Sequence, residues 1–323
     1  MNRRQVVVGA LVSALATSVA SAAAAQTKLT IMVFPGINNL PIYAAQAKGF
    51  FAKRGLEVDV KFTSGSDELR NGLAAGRYQI VHSAVDNAVA MVELAKVDVA
   101  IVVGGDSGFQ ELFVSPEIAS YADIRGKTVL VDAPNTAYAF FLYTMLKQNG
   151  LERGDYAVKS VGATAFRLAG LKDKSGVAAI IGPPFSILAE RAGLKNFGSA
   201  SKALGRLQGN GGFVLRSWAK ANSDALVHYL QAYIDGVRWA RDPVNRAEAV
   251  ALYVEQLKLP EDVATQCYEI AANAESGLAK DAALDREGFR SILNLRTATE
   301  GGSPLSPETY LDLSYYQQAL TGM

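Results

Sequence analysis

Ser107 stands in Val103-Gly104-Gly105-Asp106-Ser107-Gly108-Phe109, a glycine-flanked turn with an adjacent carboxylate that would suit a nucleophilic serine. Such a serine attacks only when a base, held by an acid, takes its proton. The histidines are His82 and His228 alone. His82 precedes Ser107 by 25 residues, too close in sequence for a base contributed by a separate barrel. The single cysteine, Cys267, excludes an internal disulfide and any cysteine-based metal cluster. Its surroundings, DVATQCYEIA, have helical spacing, which predicts a buried thiol that packs as a small apolar group. The chain contains no HExxH, no phosphate-binding GxxxxGK[ST] and no GxGxxG after a strand.

The elements that must position these groups alternate. Apolar runs predict strands over 29–34, 58–62, 79–82, 97–103, 110–114, 128–131, 157–161, 177–181 and 212–215. Helical patterns lie between them over 41–54, 67–75, 87–94, 137–149 and 184–192. This is an α/β chain with mainly parallel sheets, so a chymotrypsin-like protease built from two β-barrels is excluded. After Trp218 the spacing of Leu226, Tyr229, Leu230, Tyr233 and Val237 predicts amphipathic helices, broken at Asp242-Pro243 and Leu259-Pro260.

At 323 residues, 50% hydrophobic and 20% charged, the chain can form one large core or two smaller ones. Residues 1–25 read as an export signal: Arg3 and Arg4, an apolar run from Val6, and small residues up to Ala25 suited to cleavage. Asn2 to Val7 also fits the twin-arginine pattern, so both the general and the twin-arginine export routes remain open. No cysteine lies near the cleavage site to take a lipid, and a soluble periplasmic protein is expected. Without Arg3 and Arg4, 30 basic residues face 31 acidic ones, which suggests neither a nucleic-acid nor a membrane-surface partner.

Four segments carry a resemblance: PIYAAQAKGFFAKRGLEV at 41–58, LAAGRYQIVHSAVDNAV at 73–89, IRGKTVLVDAPNTAYAFFLYTMLKQNGL at 124–151 and FRLAGLKDKSGVAAIIGPPFSILAERAGL at 166–194. Together they resemble the periplasmic solute-binding proteins of the nitrate, sulfonate and taurine ABC importer group, which share a fold with the thiamine-pyrimidine synthases. The resemblance implies a two-lobed (type II) binding protein: two mainly parallel sheets flanked by helices, joined by two crossing segments. The expected division is 26–105 with 213–323 as the first lobe and its C-terminal helices, and 106–212 as the second. It implies a small-molecule ligand in the cleft, a membrane permease with its ATPase as partner, a monomer, and no cofactor or metal. An enzyme of the thiamine-pyrimidine-synthase kind is the alternative, although the cysteine-rich segment that marks those enzymes is lacking here.

The first crossing then follows the strand 97–103 and carries Asp106 towards the cleft; the return lies near 209–215, where three glycines would supply hinge freedom. Ligand contacts of that family map onto Phe34, Gly36, Asn38 and Asn39, then onto Ser64, and then onto His82, Ser83, Asp86 and Asn87. The GPPF loop adds Gly182 and Pro183. Gly36 also fits ordinary turn chemistry, Ser66 a helix cap, and His82 a packed structural histidine. Asn135 and Thr136 open a helix whose first turn has no acid, so its free N–H groups and dipole could receive a carboxylate or sulfonate; simple capping is the alternative. None of the predicted cleft loops carries an arginine, the residue suited to a strong anion. Asp86 and Asp106 favour a ligand with a donor or positive nitrogen, and Phe34 could stack on a ring. The expectation is a modest organic molecule, aromatic or nitrogen-containing, rather than nitrate or a simple sulfonate.

Overall fold

The structure, a computed structural model, describes residues 26–323. The expected signal over residues 1–25 lies outside the described residues. No described helix is long and apolar enough to cross a membrane.

The chain begins as β1 (Thr27–Val33), α1 (Leu40–Ala47), β2 (Leu56–Phe62), α2 (Ser66–Ala74), β3 (Ile80–Ala84), α3 (Asp86–Glu93) and β4 (Val99–Val103). Pro41 sits in the first turn of α1, where its missing N–H is harmless. The predicted helix over 41–54 stops early because Gly49 turns left-handed at φ 69°, and a short 3-10 turn covers 52–54. The chain then forms β5 (Glu111–Val114), β6 (Thr128–Val131), α4 (Ala137–Gln148), β7 (Ala157–Ser160), α5 (Thr164–Lys172), β8 (Ala178–Ile181), α6 (Phe185–Arg191), β9 (Lys195–Ser199) and α7 (Ala200–Leu204). It returns through β10 (Asn210–Leu215). It ends in α8 (Arg216–Ala221), α9 (Ser223–Arg241), α10 (Arg246–Leu257), α11 (Glu261–Ala272), α12 (Arg286–Glu300) and α13 (Ser314–Thr321).

Two five-stranded sheets result, in the orders β2-β1-β3-β10-β4 and β7-β6-β8-β5-β9. Each has four strands pointing one way and one reversed: β10 runs antiparallel to β3 and β4, and β5 to β8 and β9. The reversed strands are the first elements after each crossing between sheets. Their starting residues therefore lie at the same edge as the C-terminal ends of the other strands, the edge where open α/β sheets bind ligands. The first sheet resumes at Asn210, a little ahead of the expected boundary at 213.

Burial explains the strand compositions. β3 and β4 are buried along their whole length, and β4 reads Val-Ala-Ile-Val-Val, as expected of strands covered by helices on both faces. Each buried Val or Ile contributes roughly 1.5–3 kcal/mol. One core continues across both sheets, joining Val81 and Ile101 of the first to Leu112 and Ile180 of the second, with Phe289, Ile292 and Leu293 of α12 packed into it. Others bury the outer face of the first sheet against α9 and the outer face of the second against α5 and α6. Cys267 is fully buried among the helices α10 and α11, and burial pushes its thiol up to about 12.

Candidate functional site

The two crossings are tied together by one carboxylate. Asp106 is 2% exposed. Its Oδ1 accepts from the backbone N–H groups of Gly108 (2.8 Å) and Asn210 (3.2 Å), and its Oδ2 accepts from Asn210 Nδ2 at 3.0 Å. Its carbonyl accepts from the Gly209 N–H and from Gln208 Nε2. Burial raises its pKa, against the hydrogen bonds from Asn210 and Gly108. Asp106 is thus a pin between crossings rather than a ligand group, which corrects the expectation that it faces the solute. Ser107 donates to the Ser276 carbonyl at 2.9 Å and has no histidine beside it. The return glycines also have a steric reason, beside the hinge freedom expected of them. Gly209 has an ordinary φ, but a Cβ there would come within 2.2 Å of Asp106 Oδ1 and 2.4 Å of the Gly108 nitrogen.

Between the sheets lies a cleft. It is lined from the first lobe by Phe34, Gly36, Asn38, Ser66 and Asn87, and from the second by Gln110, Asp132, Thr136, Tyr138, Thr164, Arg167, Gly182, Pro183 and Phe185, with Asn210 at the back. The cleft is closed at one end by bonds between the lobes. Ala163 N–H donates to the Ser64 carbonyl at 2.9 Å, Ser66 N–H to Asp132 Oδ1 at 3.2 Å, and Ser66 Oγ to Asp132 Oδ2. At the other end Ile187 of α6 packs with Ile37, Leu40 and Val263, and Arg191 meets Asp262 at 2.6 Å.

Of the residues singled out from the sequence, Phe34, Gly36, Asn38, Asn87, Thr136, Gly182 and Pro183 reach this cleft. The rest are placed elsewhere. Asn39 is fully buried and spends its amide on the Phe34 carbonyl (2.7 Å), shaping the loop from behind. Ser64 does not line the cleft but a separate surface groove, and its hydroxyl donates to Glu68. His82 is buried between Tyr229, whose hydroxyl lies 3.0 Å from Nε2, and Tyr233; burial alone depresses its pKa to about 3. Ser83 accepts from Asn87 Nδ2 at 3.3 Å. Asp86 does not await a cationic ligand, because Arg296 already holds it through two bonds of 2.8 and 2.9 Å. Asn135 turns its side chain to Arg70 in an outer groove and leaves the cleft to Thr136 and Tyr138 behind it.

The expectation of an arginine-free cleft is also corrected. Arg167, 2% exposed, lines the cleft from the first turn of α5, a helix not predicted from the sequence. Its Nε donates to the Ile180 carbonyl (3.0 Å), Nη1 to the Gly162 carbonyl (2.8 Å) and Nη2 to Thr164 Oγ1 (2.8 Å). A guanidinium has five N–H groups, so two remain uncommitted among the described residues. Burial lowers its pKa, and nearby Asp132 opposes that shift. The available signal was an arginine one turn after a strand end, within the FRLAGLK segment that carried the resemblance. Gln110, Asp132 and Asn210 were missed as well, because each looks in sequence like the end of a strand or a hinge.

At the first turn of α4 no side chain caps the helix and no acid is present, since the Thr136 hydroxyl donates back to the Ala133 carbonyl. The cleft therefore combines a cation, uncapped helix amides, neutral amides and aromatic faces from Phe34, Tyr138 and Phe185. It holds neither cysteine nor histidine. No group of His, Cys, Asp and Glu side chains able to hold a metal ion occurs among the described residues.

The architecture recurs in solved structures. The periplasmic nitrate-binding protein NrtA of Synechocystis PCC 6803 superposes with a TM-score of 0.76 at 15% identity, over 92% of this chain and 89% of that one. The alkanesulfonate-binding protein SsuA of Xanthomonas axonopodis pv. citri, bound to MOPS, matches with a TM-score of 0.68 at 16% identity, over 85% and 92%. The desulfurization enzyme DSZB matches with 0.64 at 13%, over 91% and 99%, so the fold serves catalysis as well as binding. No curated protein matches the chain by sequence. The model of the NMT1-like family matches residues 22–254, and the chain belongs to that family.

Proposed function

We propose that this protein is the periplasmic solute-binding component of an ABC importer. It would take a small organic solute, a sulfonate, carboxylate, aromatic or N-heterocyclic compound, and deliver it to a membrane permease driven by a separate ATPase. The observation that carries this reading is the cleft: polar groups converge between two lobes whose closure is held by contacts made only across it, Ser66–Asp132 and Ser64–Ala163. The lobes would be those expected from the sequence, 26–105 with 213–323 and 106–212, with the second boundary moved to Asn210 because β10 belongs to the first sheet. A solute that touches both lobes favours the closed state by its differential affinity, and no covalent chemistry is needed. An enzyme on the same fold is the alternative. It is disfavoured because the cleft lacks the histidine or cysteine that would activate or supply a nucleophile.

The test is a thermal-shift screen of the purified protein against sulfonates, aromatic acids, pyrimidines and nitrate. A true solute at 100 times its dissociation constant raises stability by about 2.7 kcal/mol. Absence of any shift together with accumulation of a product would overturn the reading in favour of catalysis.

A further inference from the structure

Arg167 presents two uncommitted N–H groups to the cleft, and hydrogen bonds to Ile180, Gly162 and Thr164 fix the plane of its guanidinium. A planar fork held in this way suits a carboxylate or sulfonate.

Two other buried side chains have the opposite need. Asn87 Oδ1 and Gln110 Oε1 are buried acceptors with no hydrogen-bond partner, and both residues line the same cleft. Asn87 is 4% and Gln110 9% exposed. Asn87 Nδ2 lies 3.3 Å from Ser83 Oγ, to which it donates, and Oδ1 is left free. Gln110 lies over Gly182, where an added Cβ would come within 2.7 Å of Nε2 and 3.0 Å of Oε1. A buried acceptor without a partner is costly, so a solute that brings donors to these two atoms is favoured over one that covers them with apolar surface. Arg167 contacts Ile180 and Gln110 covers Gly182, two residues on. Those anchor points are roughly 6.6 Å apart at the rise of a strand. Phe34, Tyr138 and Phe185 supply apolar faces to the same space.

We propose that the solute has two heads, an anionic carboxylate or sulfonate on Arg167 and an N–H donor group on Asn87 and Gln110, separated by a ring or a short chain. The proposal rests on the reading of the cleft as a solute site and narrows it. Neither a simple inorganic anion nor a plain alkanesulfonate satisfies both ends.

The test is calorimetric titration of the purified protein with acids paired by the presence of an amino head. The pairs are benzoate with 4-aminobenzoate, butanoate with 4-aminobutanoate, and ethanesulfonate with 2-aminoethanesulfonate; nitrate is the single-headed control. In at least one pair the amino member should bind tenfold or more tightly than its partner. Gln110→Met should reduce that difference, weakening the amino member more than its partner. Arg167→Met should weaken both members, with circular dichroism confirming that each variant is folded. Equal affinities within every pair, or a difference undiminished in Gln110→Met, would overturn the proposal. If nitrate or a plain acid binds most tightly and compacts the protein in solution scattering, the two-headed solute is wrong while the binding-protein reading stands. If none of these solutes binds, the two-headed solute is wrong, and product formation in the wider screen decides the broader reading.

Discussion

Arg296 on α12 and Asp86 at the start of α3 form a two-bond ion pair of 2.8 and 2.9 Å, with neither residue more than 2% exposed. Arg296 Nη2 also donates to the Asn135 carbonyl at 3.0 Å, and its guanidinium lies 5.1 Å from the centre of the Phe140 ring. Burial opposes its charge, but Asp86 and Glu300 together hold its pKa above the ordinary value. One side chain thus joins the residue before Asn87 in the first lobe to the residue before Thr136 in the second. Both neighbours line the cleft.

Removing Arg296 would leave the Asp86 carboxylate buried without its counter-charge. Arg296→Met should destabilise the protein by about 3–5 kcal/mol in urea unfolding, and adding Asp86→Leu should recover part of that loss. A loss under about 1 kcal/mol would show that the pair is not needed for the fold.

His82 makes stability depend on pH. Its folded pKa of about 3 lies below the ordinary 6.5, so below 6.5 the unfolded chain takes up a proton that the native chain refuses. Its contribution is therefore present above pH 6.5 and is lost as pH falls towards 3. Between pH 7 and pH 5 the loss is about 2 kcal/mol. Asp106 and Glu111, whose pKa values are raised by burial, act in the opposite sense. His82→Gln keeps an acceptor for Tyr229 and should flatten the curve by that amount. Parallel curves for the two proteins would remove His82 as the cause.

Ser66 tests the closing seam. Ser66→Ala removes the hydroxyl bond to Asp132, a loss of about 1 kcal/mol from the closed state alone. The solute dissociation constant should rise about fivefold, with the unfolding midpoint of the solute-free protein little changed. Unaltered affinity would mean that the seam does not contribute to closure.

At the crossings, Gly209→Ala places a Cβ against Asp106 and the Gly108 backbone, and should destabilise by about 1–3 kcal/mol. Ser107→Ala removes only the contact to the Ser276 carbonyl and should leave both stability and solute binding within about 1 kcal/mol of the parent. Loss of binding in Ser107→Ala would return that serine to the site.

All nine predicted strands are present, and the buried ones declare themselves as apolar runs rich in β-branched residues such as Val99 to Val103. β9 was not legible, since Lys-Asn-Phe-Gly-Ser at a sheet edge carries one large apolar residue. Loop residues placed by strand ends, Phe34, Asn38 and Thr136, could be named from the sequence because the strand-to-helix alternation fixes their edge. Asp86 and His82 could not be assigned, since their partners, Arg296 and Tyr229, lie 210 and 147 residues further along the chain. Arg167 was hidden for a related reason. It enters the cleft from a short helix with weak apolar periodicity, and only the folded sheet edge brings it into the same cleft as Asn87.

The account turns on whether a bound solute leaves the cleft unchanged. Purified protein incubated with an isotopically labelled solute from the screen should retain one molecule per chain, recoverable intact after denaturation, with the radius of gyration reduced while the solute is bound. A labelled product that exceeds the amount of protein and builds up with time would contradict solute binding as the function and assign the cleft to catalysis.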